Sequence, residues 1–313
     1  IDAKGSGSGS SYGTAFMMRY ANNEIRSSSG NISINTTGAL ELFRDNVGSG
    51  AAPLVQTAGS GTLSLTAASG GLTSNSAILK AAEGDISIQA AGNFSQIWGG
   101  YIETTGAGNI DVTATGVVLL SRDSSSSALG GLRASGSGAI EVSGSEIRLA
   151  GNLTGGAGGI TLNDAVVMYT DAVLNTSAGN GDLTFLGTVN SDGNTPRNLT
   201  ANLGTGTLTL GDATTDTVGA SKALGAMLVT GSLDLNAAIS SAASLSVSGT
   251  SNLGANITTT GTQTYTGAVT LSGGARTLAA STVNTQSTLA GGGNALTITG
   301  AADIDGAYTG LAS

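Results

Sequence analysis

The sequence predicts an all-β chain wound as a single-stranded parallel β-helix, about a dozen coils of roughly 25 residues each. Three observations lead there. A short unit of turn residue, apolar, polar, apolar occurs twelve times along the 313 residues. The composition has 51 Gly and only 2 Pro, with 10% charged and 4% aromatic residues. Hydrophobic residues nevertheless reach 39%, enough to bury a core and too many for a disordered chain. With so few aromatics that core has to be built from Ile, Leu, Val and Ala, which suits a narrow, repetitive interior.

The apolar pairs of the unit are Ile32/Ile34, Leu63/Leu65, Ile86/Ile88, Ile110/Val112, Ile140/Val142, Ile160/Leu162, Leu183/Phe185, Leu208/Leu210, Leu233/Leu235, Leu245/Val247, Val269/Leu271 and Leu296/Ile298. The residue between the flanks tests the pattern independently. It is Ser33, Ser64, Ser87, Asp111, Glu141, Thr161, Thr184, Thr209, Asp234, Ser246, Thr270 and Thr297, polar in every case. Strict alternation is the period of a strand with one buried and one wet face. From Ile32 to Leu233 the unit advances by 20 to 31 residues, the length of one coil with three short strands. Leu40-Glu41-Leu42 and Ile147-Arg148-Leu149 supply second strands, and the two longest steps predict coils with an extra loop. Corners are marked by Gly30-Asn31, Gly84-Asp85, Gly108-Asn109 and Gly181-Asp182, residue types that tolerate positive φ. Stacked at ~4.8 Å per coil, the chain predicts a rod of roughly 55 to 60 Å. An array of immunoglobulin-like sandwiches is the rival, but it calls for more Pro and a central aromatic, and Trp98 is the only Trp.

The whole of 1–313 reads as one continuous β-helix fragment. Residues 1–196 form more irregular coils with longer loops, and 197–313 are a second subtype rich in Gly, Ala and Thr. Gly5 to Gly13, with Phe16, Met17, Met18 and Tyr20 after it, reads as a coil carrying a long loop. No leader or membrane-spanning stretch is visible, and neither end looks like a cap, so the natural chain is expected to continue in both directions.

Eleven Lys and Arg against twenty Asp and Glu give a net charge of −9, which argues against nucleic acid and anionic membranes as partners. The absence of Cys and His removes disulfides and the usual zinc, haem and iron–sulfur ligands.

Asn31-Ile-Ser-Ile-Asn, Gly84-Asp-Ile-Ser-Ile-Gln, Gly108-Asn-Ile-Asp-Val-Thr and the run from Thr258 to Leu271 resemble filamentous haemagglutinin repeats, a texture that covers nearly the whole chain. The resemblance implies a right-handed β-helical shaft of a Gram-negative exoprotein of the two-partner secretion type. It further implies an outer-membrane secretion partner and a place outside the cell or on its surface, with roles in adhesion, biofilm or filaments. The family's amino-terminal secretion domain has no counterpart here. The expected function is structural and adhesive, not enzymatic, with no catalytic, cofactor or metal residues. Host or bacterial glycans and proteins, or further coils or copies stacked end to end, are the expected partners.

Against this stands a carbohydrate-binding or carbohydrate-cleaving β-helix, whose chemistry needs clustered carboxylates. Asp303 and Asp305 share one strand face, and Asp111 and Glu141 are expected to stack on adjacent coils. Gly155-Gly-Ala-Gly-Gly-Ile has the glycines of a calcium-binding repeat without its Asp, and reads as a turn. Thr258, Thr260, Thr262, Thr264 and Thr266 would form a flat hydroxyl array if they lay on one face. Asn-x-Ser/Thr sequons occur at Asn31, Asn35, Asn93, Asn152, Asn175, Asn198 and Asn256. Trp98 and Tyr101 read as filling a wide coil in preference to an exposed sugar-stacking patch.

Overall fold

The computed structural model describes residues 2–3, 14–19, 23–43, 52–97, 99–121, 131–193 and 195–312, so Trp98, Tyr20 and Gly5 to Gly13 lie outside the described residues. Described residues form strands, turns and bends without a helix. They fall into two compact units, Ile1–Ile160 and Thr161–Ser313. Both are parallel β-helix.

In the first unit each strand pairs with the strand three places further along, so a coil has three faces. The first face stacks Ile32–Thr36, Leu63–Ala67, Ile86–Ala90, Ile110–Ala114 and Ile140–Ser143, all parallel and in register. The second stacks Ala39–Phe43, Leu72–Asn75, Phe94–Ile97, Val117–Ser121 and Glu146–Ala150. The third stacks Glu24–Ser27, Leu54–Thr57, Ile78–Ala81, Tyr101–Thr104 and Gly131–Ala134.

Alternation decides what is buried. Ile34, Leu65, Ile88, Val112 and Val142 form one fully buried aliphatic column, and Leu40, Leu72, Phe94, Val118 and Ile147 form a second fully buried apolar column with one aromatic member. None of the twelve central polar residues is buried. The two long steps fall between Phe43 and Leu54 and between Ser121 and Gly131, at the corner from the second face to the third, and residues 44–51 and 122–130, on which the expected loops fall, lie outside the described residues.

The corners differ from expectation in their cause. Gly30, Gly84 and Gly108 hold ordinary φ, and among the described residues only Ser76 and Asn180 are non-glycine with positive φ. What demands glycine is close approach: a Cβ on Gly84 would overlap the carbonyl of Gly61, and one on Gly108 that of Gly84. The acidic or amide residue that follows has a separate task. Its Oδ1 accepts the backbone N–H of the equivalent residue one coil on: Thr62 to Asn31 (2.9 Å), Asn109 to Asp85 (2.7 Å), Ala139 to Asn109 (2.8 Å) and Thr207 to Asp182 (2.8 Å). A corner N–H turned away from the ladder is thereby satisfied.

The second unit keeps the three faces and changes the coil length. Leu183, Leu208 and Leu233 stack 25 residues apart, but Ser251, Val269, Leu289 and Tyr308 follow at 18, 18, 20 and 19. A uniform coil of about 25 residues therefore fails beyond Leu233. In this unit one strand can also serve two faces, as in Leu199–Leu210, Leu224–Leu235, Ala238–Val247 and Arg276–Thr285, whereas the 18-residue coil from Ser251 to Val269 has three separate strands of three residues each. Gly204, at φ +64, makes the bend in Leu199–Leu210. Leu245/Val247 and Leu296/Ile298 also leave the main series: Leu245 stacks on Met227 and Ile298 on Leu278, in the columns of the other two faces.

Candidate functional site

The outward positions of the first unit divide into three environments. On the first face they are polar throughout, and the register sets Asp111 beside Glu141, as the sequence predicts. A groove of about 290 Å³ runs past them, lined by Asp85, Ser87, Asn109, Asp111, Ala139 and Glu141. Its carboxylates already have structural tasks. Asp85 accepts the Asn109 N–H, and Asp111 accepts the Thr113 hydroxyl at 2.9 Å. Asp111 and Glu141 stand exposed on a strand face among Ser and Thr.

The corner between the second and third faces is not polar. Phe43 and Ile97 on one side, and Leu54, Ile78 and Tyr101 on the other, point outward and are half-buried. Polar outer columns are interrupted here, and Tyr101 is not core: the buried residues of its strand are Ile102 and Thr104.

Two residues further along each third-face strand lies a charged column. Arg26, Gln56, Lys80, Glu103 and Arg133 are successive register partners. Lys80 Nζ meets Glu103 Oε2 at 2.7 Å, and hydrogen bonding to Glu103 holds the Lys80 ammonium above its ordinary pKa. Arg26 donates to Glu24 at 2.7 Å and to Gln56 Oε1 at 3.3 Å, and the guanidinium draws the Glu24 carboxyl below its usual range. Arg133 lies 5.3 Å from the centre of the Tyr101 ring, within cation–π distance. These contacts hold long, otherwise mobile side chains in a defined outward order.

The remaining candidates separate cleanly. Asp303 pairs in register with Asn284 at the end of the strand Leu296–Ile304, with Asp305 just beyond it, and both are exposed. Thr258 stands on the second face and Thr264 on the third, so the five threonines wrap a corner and make no flat array. Ala157 and Gly158 form a turn, as read from the sequence. Among the described residues no group of three or more Asp and Glu could hold a metal ion, and no helix is long and apolar enough to cross a membrane. The charged column escaped the sequence reading because it appears only when third strands are aligned coil by coil, and their apolar signal is a single residue (Val55, Leu79, Ile102, Leu132) instead of a pair.

No protein-family model, curated protein or solved structure matches the chain.

Proposed function

We propose that this chain is a structural and adhesive segment of a large secreted bacterial surface protein, a shaft of the filamentous haemagglutinin type, and not an enzyme. The observation that carries this reading is the parallel coil-on-coil stacking of buried, mainly aliphatic columns within each unit. Such an arrangement invests nearly all of its sequence in length and stiffness. Outer positions are left to vary, and the corner side chains serve the next coil instead of a bound ligand. Transport by an outer-membrane partner and display outside the cell belong to the same proposal.

A carbohydrate-cleaving β-helix is the second reading, favoured only by the groove at Asp111 and Glu141. Two measurements test the choice. Electron microscopy of the native material is expected to show thin rods or filaments. A glycan-degradation screen is expected to show no turnover. Reproducible cleavage abolished by Asp111→Asn and Glu141→Gln would overturn the structural reading.

A further inference from the structure

We infer that the core of the first unit encloses one water molecule between Ser74 and Gln96, and that this water completes a line of hydrogen bonds through three successive coils. The site lies in the interior and is independent of what the outer faces bind. Three observations converge on it.

The first is the column to which both residues belong. Leu42, Ser74, Gln96, Leu120 and Leu149 are successive register partners on the second face, all turned inward and buried. Two polar side chains on adjacent coils therefore interrupt a column that is otherwise leucine. Ser74 is shorter than the Leu42 it stacks on, and Ala77 and Ala81, buried in the same coil, are small as well. That exchange leaves room for a water molecule, whose share of liquid volume is ~30 Å³.

The second is the hydrogen-bond account of the pair. Gln96 Nε2 donates to the Gly100 carbonyl at 3.1 Å and to the Gly131 carbonyl at 3.2 Å. The amide therefore cannot be turned round without setting its oxygen against two others. Its Oε1 is fixed by this, is buried, and has no partner among the described residues. Ser74 Oγ, one coil earlier in the same column, has none either. A buried acceptor and a buried donor left unpaired are each costly. One water answers both, accepting the Ser74 hydroxyl proton and donating to Gln96 Oε1.

The third is comparison within the chain. In the second unit the buried Gln263 donates from Nε2 to the Ala279 carbonyl at 3.0 Å, and its Oε1 accepts the Tyr265 hydroxyl at 3.1 Å. What the Tyr265 hydroxyl supplies to Gln263, the water supplies to Gln96. Thr104 and Ser251 also carry unpaired buried hydroxyls, but their register partners are Ala81 and Ala134, and Leu233 and Val269. Among the described residues, only at Ser74 and Gln96 do two unpaired polar atoms stack on adjacent coils.

Ser74, the water, Gln96 and the Gly131 carbonyl then form one line across three coils. Aliphatic columns look alike from coil to coil, whereas a polar pair that has to meet fixes which coil stacks on which.

The test uses the full chain. A crystal structure places bound water, and water-oxygen magnetic relaxation dispersion counts the molecules held longer than the protein takes to tumble. The parent is expected to show density about 3 Å from both Ser74 Oγ and Gln96 Oε1. Ser74→Leu, which restores the side chain found one coil earlier, is expected to lose that density together with about one long-lived water. Gln96→Met, which keeps the length and removes the acceptor, is expected to do the same. Thr73→Ala, on the outer side of the same strand, is expected to leave the count unchanged. Far-UV circular dichroism checks that each variant keeps its coils, and if Ser74→Leu does not fold, the parent density and Gln96→Met decide. A parent in which Ser74 Oγ bonds Gln96 Oε1 directly, with no density between them, overturns the inference. An unchanged water count in folded Gln96→Met overturns it as well, because the counted molecule would then lie elsewhere.

Discussion

Two chemically identical changes, Gly108→Ala and Gly193→Ala, are expected to have opposite consequences. A Cβ on Gly108 would overlap the Gly84 carbonyl and carbon of the preceding coil. That peptide cannot retreat, because its neighbour Asp85 is held from two sides: its carbonyl accepts the Leu63 N–H at 2.8 Å and its Oδ1 accepts the Asn109 N–H at 2.7 Å. Overpacking against fixed backbone costs about 1–3 kcal/mol. At Gly193 nothing stands within 4 Å of the added atom and φ is ordinary, so the smaller entropy of the unfolded chain makes Ala neutral or up to ~1 kcal/mol stabilising. The two variants should therefore differ by roughly 1–4 kcal/mol. Long repeat arrays unfold in parts, so a single melting temperature is a poor readout. Amide hydrogen exchange reads the coil itself. The N–H groups of Ile86, Asn109 and Ile110, bonded to Asn109 O, Asp85 Oδ1 and Ala139 O at 2.7 to 2.8 Å, should exchange about thirtyfold faster in Gly108→Ala. The Val166 N–H, bonded to Thr188 O in the other unit, should be unmoved. If Gly108→Ala exchanges like Gly193→Ala at those three amides, close approach is not the reason for the corner glycines.

Other changes probe the core and the charges. Ile88→Ala opens a void in a fully buried column between Leu65 and Val112 and should cost about 2–5 kcal/mol by denaturant titration with local exchange as the check. Burial pushes the Tyr265 phenol above its ordinary pKa of 10.0, so the stability it contributes is intact below that pH and is lost as pH rises beyond it, when the unfolded chain ionises first. Tyr265→Phe should flatten that alkaline loss, followed by circular dichroism, while lowering stability near neutrality by ~1–3 kcal/mol because Gln263 Oε1 loses its 3.1 Å donor. Asp192 is drawn below its usual carboxylate range by the Arg197 guanidinium, so its contribution is present above the unfolded pKa and fades as pH falls through the depressed folded value. Asp192→Asn should remove that part of the acid response, and an unchanged acid titration would discount the pair.

What the sequence revealed and what it concealed follow from the same geometry. Strands such as Ile86–Ala90 and Ile110–Ala114 carry two inward aliphatics around a polar centre, so period-2 alternation exposes them without any knowledge of their partners. Third-face strands such as Leu54–Thr57 and Ile78–Ala81 turn one large aliphatic inward and another outward, which destroys the alternation although the strands are as regular as the rest. Beyond Leu233 the trouble is different. Once Ala238–Val247 serves two faces, the Leu245 pair looks like another first-face strand and belongs to the third. A more faithful period marker is the glycine that stands two residues before most first-face positions, Leu289 with Ser287 being an exception. Gly231, Gly249 and Gly267 precede Leu233, Ser251 and Val269, and each would place a Cβ against the carbonyl of the glycine one coil earlier. Spacing read from these glycines gives the 18-residue coil directly, even where Ser251 replaces the aliphatic that a hydrophobic search requires.

The sequons illustrate how a motif can be a by-product of architecture. Asn31, Asn93, Asn198 and Asn256 each sit just before a strand, are followed by an inward Ile, Phe or Leu and then by an outward Ser or Thr, which writes Asn-x-Ser/Thr without reference to any modification. Their Oδ1 atoms accept the N–H groups of Thr62, Val117, Ala226 and Thr277 at 2.8 to 2.9 Å. Asp85, Asp171 and Asp182 do the same at corners of their own, so the fold requires an oxygen and is indifferent to the amide. Asn93→Asp should therefore retain the protection of the Val117 N–H from exchange, while Asn93→Ala should lose about 1 kcal/mol as that donor goes unpaired. Equal loss in both variants would mean that the amide nitrogen matters and that the sequon has a meaning of its own.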